Sequence, residues 1–203
     1  MTPIVFHFDV VSPYAFLAFE ALPGALAGIS HAVEYRPVLF AGLLKAHQHK
    51  GPVEVPGKRE WTYRQVDWLA ARQGVAGWQR PEPHPFNPLA LLRLGLASGP
   101  AGRMPGRHIV EALFRHAWCA GGADPNDPQR LAALRATLQP VRDPDSPEVK
   151  SELRALTDAA IGRGLFGVPT VEAQGELYWG LDALPMLRED LLAAQAGGAA
   201  GAH

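Results

Sequence analysis

The run Ile4–Val11 constrains this chain most. Ile4, Val5, Phe6, Phe8, Val10 and Val11 fill it almost without interruption, which reads as a buried strand. It ends at Ser12-Pro13. A serine at a helix N-cap accepts from an orphan backbone N–H, and a proline at the first helical position gives up a donor that has no partner there. A strand therefore passes straight into a helix, Ala15–Ala27, which Pro23-Gly24 is expected to interrupt. A second strand is expected over Ala32–Phe40, where Val33, Tyr35 and Pro37 alternate with Ala32, Glu34 and Arg36. Pro37 cannot donate to a ladder, so the strand is expected to weaken there.

From residue 41 to 165 the pattern is helical. Glu60–Gln73 places Trp61, Trp68 and Leu69 on one face, and Arg107–Ala120 places Ile109, Ala112, Leu113 and His116 on one face. Asn87-Pro88, Asp127-Pro128 and Ser146-Pro147 repeat the capping device of Ser12-Pro13. Much of the proline content, 19 residues, is thus helix punctuation. Strands return at Val168–Ala173 and Glu176–Trp179 around the turn Gln174-Gly175, and Asp182 is expected to cap a last helix, Ala183–Ala194.

The order β-α-β, helices, β-β-α is that of an α/β thioredoxin-like fold with a large helical insertion. Residues 1–40 and 166–195 are expected to form the thioredoxin-like domain, 41–165 the inserted helical domain, and 196–203 a flexible tail.

The 203 residues contain a single cysteine, Cys119, which leaves no internal disulfide, no C-x-x-C pair and no multi-cysteine zinc site. His47-x-His49 and His116-x-x-Cys119 lack a second half at metal-binding spacing, so no metal is expected. A net charge of −1 gives no basic field for nucleic acid. The first twenty residues lack a positive n-region, and no uncharged apolar run of about 18 residues occurs, so neither a signal peptide nor a membrane span is expected. A soluble cytoplasmic protein is the default expectation.

Five segments can carry chemistry. The first is Asp9-Val10-Val11-Ser12-Pro13-Tyr14. In a thioredoxin fold the turn between the first strand and helix holds the reactive group, and a helix N-terminus there favours an anion. Serine at this position cannot act as a thiol, but it can hydrogen-bond a thiolate brought by a ligand. An ordinary helix cap has the same appearance.

The second is Phe166-Gly167-Val168-Pro169-Thr170, where a cis proline would face the reactive turn. The third is Trp179-Gly180-Leu181-Asp182, with Asp182 either a cap or a partner for a ligand ammonium. The fourth, Gly51-Pro52-Val53-Glu54-Val55-Pro56-Gly57-Lys58-Arg59, offers cations to a carboxylate. The fifth is His84-Pro85-Phe86-Asn87-Pro88, where His84 and Asn87 either line a pocket or belong to a loop and a cap. His7 is expected to pack within its strand, Cys119 to be a small buried residue, and the five tryptophans mostly to be core.

Together these segments resemble the 2-hydroxychromene-2-carboxylate isomerases, which are related to the kappa-class glutathione transferases in the DsbA-like branch of thioredoxin folds. The resemblance spans residues 4 to 193. It implies a glutathione-dependent isomerase that acts on 2-hydroxychromene-2-carboxylate or a similar aromatic-derived unsaturated keto acid by reversible thiolate addition.

By this match Ser12 is catalytic. Lys58, Val168, Pro169, Asp182 and His49 hold glutathione, His49 standing near the place where the kappa class carries an asparagine. Tyr14, His84 and Asn87 face the substrate. Leu181 stands where the family often carries a polar residue. The resemblance also implies a homodimer working on small molecules. A kappa-like glutathione transferase and a non-catalytic thioredoxin-like binding protein are the alternative expectations. A disulfide oxidoreductase fails because Cys119 has no partner thiol.

Overall fold

The computed structural model describes residues 1–200. Strand β1 (Thr2–Phe8), helix α1 (Pro13–Ala25) and strand β2 (His31–Pro37) come first. Helices α2 (Phe40–Ala46), α3 (Lys58–Gln73), α4 (Leu89–Ser98), α5 (Arg107–Trp118), α6 (Pro128–Leu138) and α7 (Pro147–Gly162) follow. Strands β3 (Thr170–Ala173) and β4 (Glu176–Trp179) and helix α8 (Leu184–Ala200) close the described chain. The sheet order is β2-β1-β3-β4. β1 and β2 are parallel, while β3 runs antiparallel to β1 and β4 antiparallel to β3. This is the expected thioredoxin-like fold, in which β-α-β and β-β-α halves share one sheet. Among the described residues no helix is long and apolar enough to cross a membrane.

The capping expectations rest on contacts within one turn, and those at Ser12, Asp127 and Ser146 hold. Ser12 accepts from Ala15 N at 3.2 Å, Asp127 from Arg130 N at 2.9 Å and Ser146 from Val149 N at 3.3 Å. Asn87 instead precedes the N-cap of α4, which is Pro88, and its Oδ1 accepts from Leu89 N at 3.1 Å. The turn Gln174-Gly175 has both residues at positive φ, as a tight hairpin requires.

Several boundaries differ from expectation. β1 stops at Phe8 because the Asp9 side chain takes the Val11 N–H at 3.0 Å and the Asp9 carbonyl takes the Ser12 N–H at 3.1 Å, which bends residues 9–12 out of the ladder. Pro23 does not break α1, which continues through it. A proline leaves the carbonyl four residues earlier without its helical donor. That carbonyl, Phe19 O, accepts instead from both terminal nitrogens of Arg107 at 3.3 Å. β2 ends at Pro37 rather than Phe40, which opens α2. The last helix runs to Ala200, so the first residues of the expected tail are helical; 201–203 lie outside the described residues.

The tryptophan reading is corrected on α3. Its buried face is Thr62, Val66 and Ala70, whose small side chains let α1 approach. Trp61 and Trp68 point outward, 53% and 57% exposed, with Arg64 and Arg72 over their rings. On α5 the buried set is Ile109, Val110, Leu113, Phe114, Ala117 and Trp118, so the expected Ala112 and His116 lie to one side. Phe114 packs against Phe8, Phe16 and Phe19 at centroid distances of 5.3 to 5.5 Å. One continuous core therefore joins β1 and α1 to the helical segment. A second cluster, Val38, Leu43, Ala160, Leu165 and Val168, fixes the chain just before β3 against α2 and α7.

Candidate active site

The turn Asp9–Ser12 is held by side chains from distant parts of the chain. Trp118 Nε1 donates to the Val10 carbonyl at 2.8 Å, and His84 Nε2 meets the Val11 carbonyl at 2.9 Å. The carboxylate of Asp9 accepts from Val11 N and, at 2.8 Å, from Phe40 N. Each group here is one that a buried turn must satisfy. Ser12 sits at the N-terminus of α1, 6% exposed. Its hydroxyl points at the Val168 carbonyl, 3.5 Å away.

The Val168-Pro169 bond is cis. Pro169 O accepts from Gly180 N at 2.9 Å, and Thr170 Oγ1 donates to Gly167 O at 2.8 Å. Among the described residues the Val168 N–H has no hydrogen-bond partner. Trp179 packs tilted against Phe166, with centroids 4.9 Å apart and ring planes at 60°. Its indole lies so close over Gly167 that a Cβ there would come within 2.6 Å of Nε1. Gly180 is at φ +98°, and a Cβ on it would strike the Asp182 carboxylate. Gly180 is therefore required by the backbone path after Pro169, and Gly167 by the Trp179 indole that lies over it.

The remaining expected residues divide. Tyr14 lies beside the turn on α1, half-buried, and donates to Gln65 Oε1 at 2.6 Å; burial raises its pKa, and the charge of Asp182 adds to the rise. Asp182 is thus on the same side of the molecule as Tyr14. It does not cap the last helix as expected, because a one-turn 3-10 helix over Leu181–Ala183 precedes α8 and makes no side-chain cap bond. Asp182 is exposed and makes no hydrogen bond among the described residues. Leu181 packs against a small cluster of Leu17, Val66 and Ala70, which accounts for an apolar residue there.

Lys58 is exposed at the first turn of α3 and makes no ion pair among the described residues. Its neighbour Arg59 is spent on the loop itself, donating to Val53 O at 2.6 Å. His49 is exposed near His47, which is tied to Leu165 O at 2.9 Å.

Two expected pocket residues do other work. His84 is wedged between Val11 O and Tyr63 Oη, 2.9 Å from each, so it supports the turn from behind; burial lowers its pKa. Asn87 is exposed and engaged with Leu89 N. A cavity of about 520 Å³ lies against β2 and Gly102–Gly106, and one of about 330 Å³ beside Asp67 and Trp78; Ser12 lines neither.

Sequence reasoning missed Asp9 and Trp118 as supports of the turn. An aspartate two residues before an N–H it can reach was the available signal for Asp9; Trp118 gave none. Cys119 is half-buried after α5, and burial raises its thiol pKa. His7 is buried, but among the described residues no hydrogen bond reaches either ring nitrogen; Nε2 stands 3.6 Å from Glu172 Oε2, and burial lowers its pKa to about 4.

Fold and turn together define a thioredoxin-like protein whose first helix opens on a serine hydroxyl instead of a thiol. Residues 3–192 match the DSBA-like thioredoxin domain, and the chain belongs to that family. It is 28% identical over 206 residues to 2-hydroxychromene-2-carboxylate isomerase of Sphingobium xenophagum, covering 93% of this chain and 97% of that protein. It is 26% identical over 207 residues to glutathione S-transferase kappa 2 of Caenorhabditis elegans, covering 93% and 91%. A solved 2-hydroxychromene-2-carboxylate isomerase superposes with a TM-score of 0.84 at 22% identity, over 99% of this chain and all of that one.

Proposed function

We propose that this protein binds glutathione at the Ser12 turn and serves as a glutathione-dependent isomerase of 2-hydroxychromene-2-carboxylate or a similar aromatic-derived unsaturated keto acid. The observation that carries the reading is the Ser12 hydroxyl at the N-terminus of α1, facing the segment Val168-Pro169. The donor set fits the tripeptide. The Val168 N–H is free for a peptide backbone, Lys58 for a carboxylate and Asp182 for an ammonium, with His49 as a further donor beside the loop.

Bound there, glutathione supplies a sulfur nucleophile that adds to and leaves a conjugated carbon with no net oxidation. The chain's own part is electrostatic. The α1 N-terminus carries about half a positive charge, and Ser12 adds an O–H donor. Both favour the anion on sulfur and so raise the thiolate fraction above that of a free thiol with a pKa of about 8.5. Tyr14 lies beside this position as a neutral phenol.

A second reading, a transferase that releases the glutathione conjugate, is favoured by the relative named as a kappa-class glutathione transferase. Product mass separates the two: an isomer of unchanged mass supports isomerisation, and a stable adduct supports transfer. Calorimetry showing no glutathione binding at millimolar concentration removes both and leaves a binding protein without turnover. The proposal includes a cytoplasmic homodimer; sedimentation giving only the 21.9 kDa monomer removes that part.

A further inference from the structure

The Asp9 carboxyl is completely buried, and each of its oxygens accepts one backbone N–H: Oδ1 from Val11 at 3.0 Å and Oδ2 from Phe40 at 2.8 Å. The first bond belongs to the turn that presents Ser12. The second belongs to the first residue of α2, whose N-cap, Leu39, has no capping side chain. Leu39 N is held separately by Thr157 Oγ1 of α7 at 3.0 Å. α2 leads into His49 and on through the 51–57 loop to Lys58. One side chain therefore joins the segment that presents the sulfur contact to the segment that leads to the carboxylate contacts.

A carboxylate has acceptor capacity for both N–H groups; a protonated carboxyl has one good acceptor oxygen and one hydroxyl. Protonation thus weakens either the Val11 bond or the Phe40 bond. We propose that Asp9 is a positioning residue whose ionised carboxylate aligns the Ser12 turn with α2, so that the two halves of the glutathione site are set by the ionisation of this one group. The inference rests on the glutathione reading above.

Burial pushes the Asp9 pKa up to about 7, against the opposing pull of its two N–H bonds. Titratable groups on the elements around the turn include His7 on β1, Tyr14 and Glu20 on α1, Lys45 on α2, His84 in the 74–88 connection, Arg115 and His116 on α5, Asp158 on α7 and Cys119 after α5. None of them contributes to the elevation, which is a burial effect alone.

S-methylglutathione has no thiol to titrate, so it isolates Asp9 from the sulfur. Its affinity is to be measured by calorimetry between about pH 6 and about pH 8 in the parent and in Asp9→Asn, so that any other titration is common to both and drops out of the difference. The expected result is a loss on acidification in the parent that exceeds any in Asp9→Asn by about 2- to 10-fold, the equivalent of one hydrogen bond. A flat profile in the parent, or the same slope in both proteins, overturns the proposal.

If Asp9→Asn does not fold, infrared titration of the parent decides. The carbonyl band of a protonated carboxyl must appear with the midpoint of the affinity change, and a different midpoint overturns the proposal. Binding that is independent of pH leaves the glutathione reading intact and removes Asp9. No binding at any pH removes the glutathione reading itself, and the Asp9 proposal with it.

Discussion

Ser12 and Val168 lie 156 residues apart in sequence, and the hydroxyl of one is 3.5 Å from the carbonyl of the other. That is long for an O–H···O bond, which prefers 2.5–3.0 Å. The hydroxyl proton is therefore aimed at a loose acceptor, which leaves it free to turn to another one. Replacing Ser12→Ala removes this donor and also the N-cap to Ala15 N. The expected cost in stability is about 1 kcal/mol, while turnover with glutathione falls roughly 10- to 1,000-fold. Parallel melting and kinetic measurements separate the two effects. Unchanged turnover removes Ser12 from the chemistry.

His84 is expected to act on the same turn from behind. Its Nε2 faces a carbonyl, so Nε2 carries the proton and Nδ1 accepts from Tyr63 Oη. Burial lowers its pKa, which keeps this neutral tautomer at pH 7. Nitrogen NMR of labelled protein should show protonation at Nε2 alone. His84→Ala leaves the Val11 carbonyl without its donor and is expected to cost about 1–3 kcal/mol. Tyr63→Phe should cost less, and the double variant should fall short of the sum, because the two side chains share one bond. An additive result would mean that the Tyr63–His84 bond carries no energy.

The parts of the site that were legible are those whose partners lie a few residues away. Ser12, Asp127, Ser146 and Asn87 each reach an N–H within two or three positions, so a short motif contains the whole interaction. Pro169 and Gly180 were legible as part of a longer pattern. The supports of the turn were not. Trp118 reaches Val10 across 108 residues and His84 reaches Val11 across 73, and nothing local distinguishes either from a core aromatic or a loop histidine. Trp61 and Trp68 misled because heptad spacing marks a face without saying which side it takes. Small residues at 62, 66 and 70 won the buried side by allowing closer helix approach.

The buried carboxyl of Asp9 also leaves a signature on stability. Its folded pKa is raised from 3.8 to about 7, so the folded protein holds a proton that the unfolded chain has released across that window. The stability it contributes is complete below 3.8 and is lost as pH rises through 7. Asp9→Asn lacks that loss. The stability of the variant relative to the parent should therefore climb from about pH 4 to about pH 7 and level off above. His7, His84 and His116 titrate in the opposite sense, since burial lowers each of them, but they are common to both proteins and cancel in the difference. Urea unfolding across the range measures it. A difference that does not change with pH would show that Asp9 ionises as it does in the unfolded chain.

The Phe19 carbonyl offers a last test, because its donor was displaced by a proline and replaced by an arginine. Pro23 denies it the helical N–H, and the Arg107 guanidinium takes it up while lying 3.9 Å over the Phe19 ring and bonding Tyr35 Oη at 3.1 Å. Arg107→Met should cost about 2–3 kcal/mol, since it leaves a partly buried carbonyl unpaired and removes a charge-assisted bond. Pro23→Ala supplies a backbone N–H at the position that reaches Phe19 O in an uninterrupted helix. In that background Arg107→Met should cost distinctly less, with a coupling of about 1 kcal/mol between the two sites. Urea unfolding of the four proteins of this cycle measures the coupling. Equal costs in both backgrounds would mean that Arg107 stabilises through Tyr35 and the Phe19 ring alone.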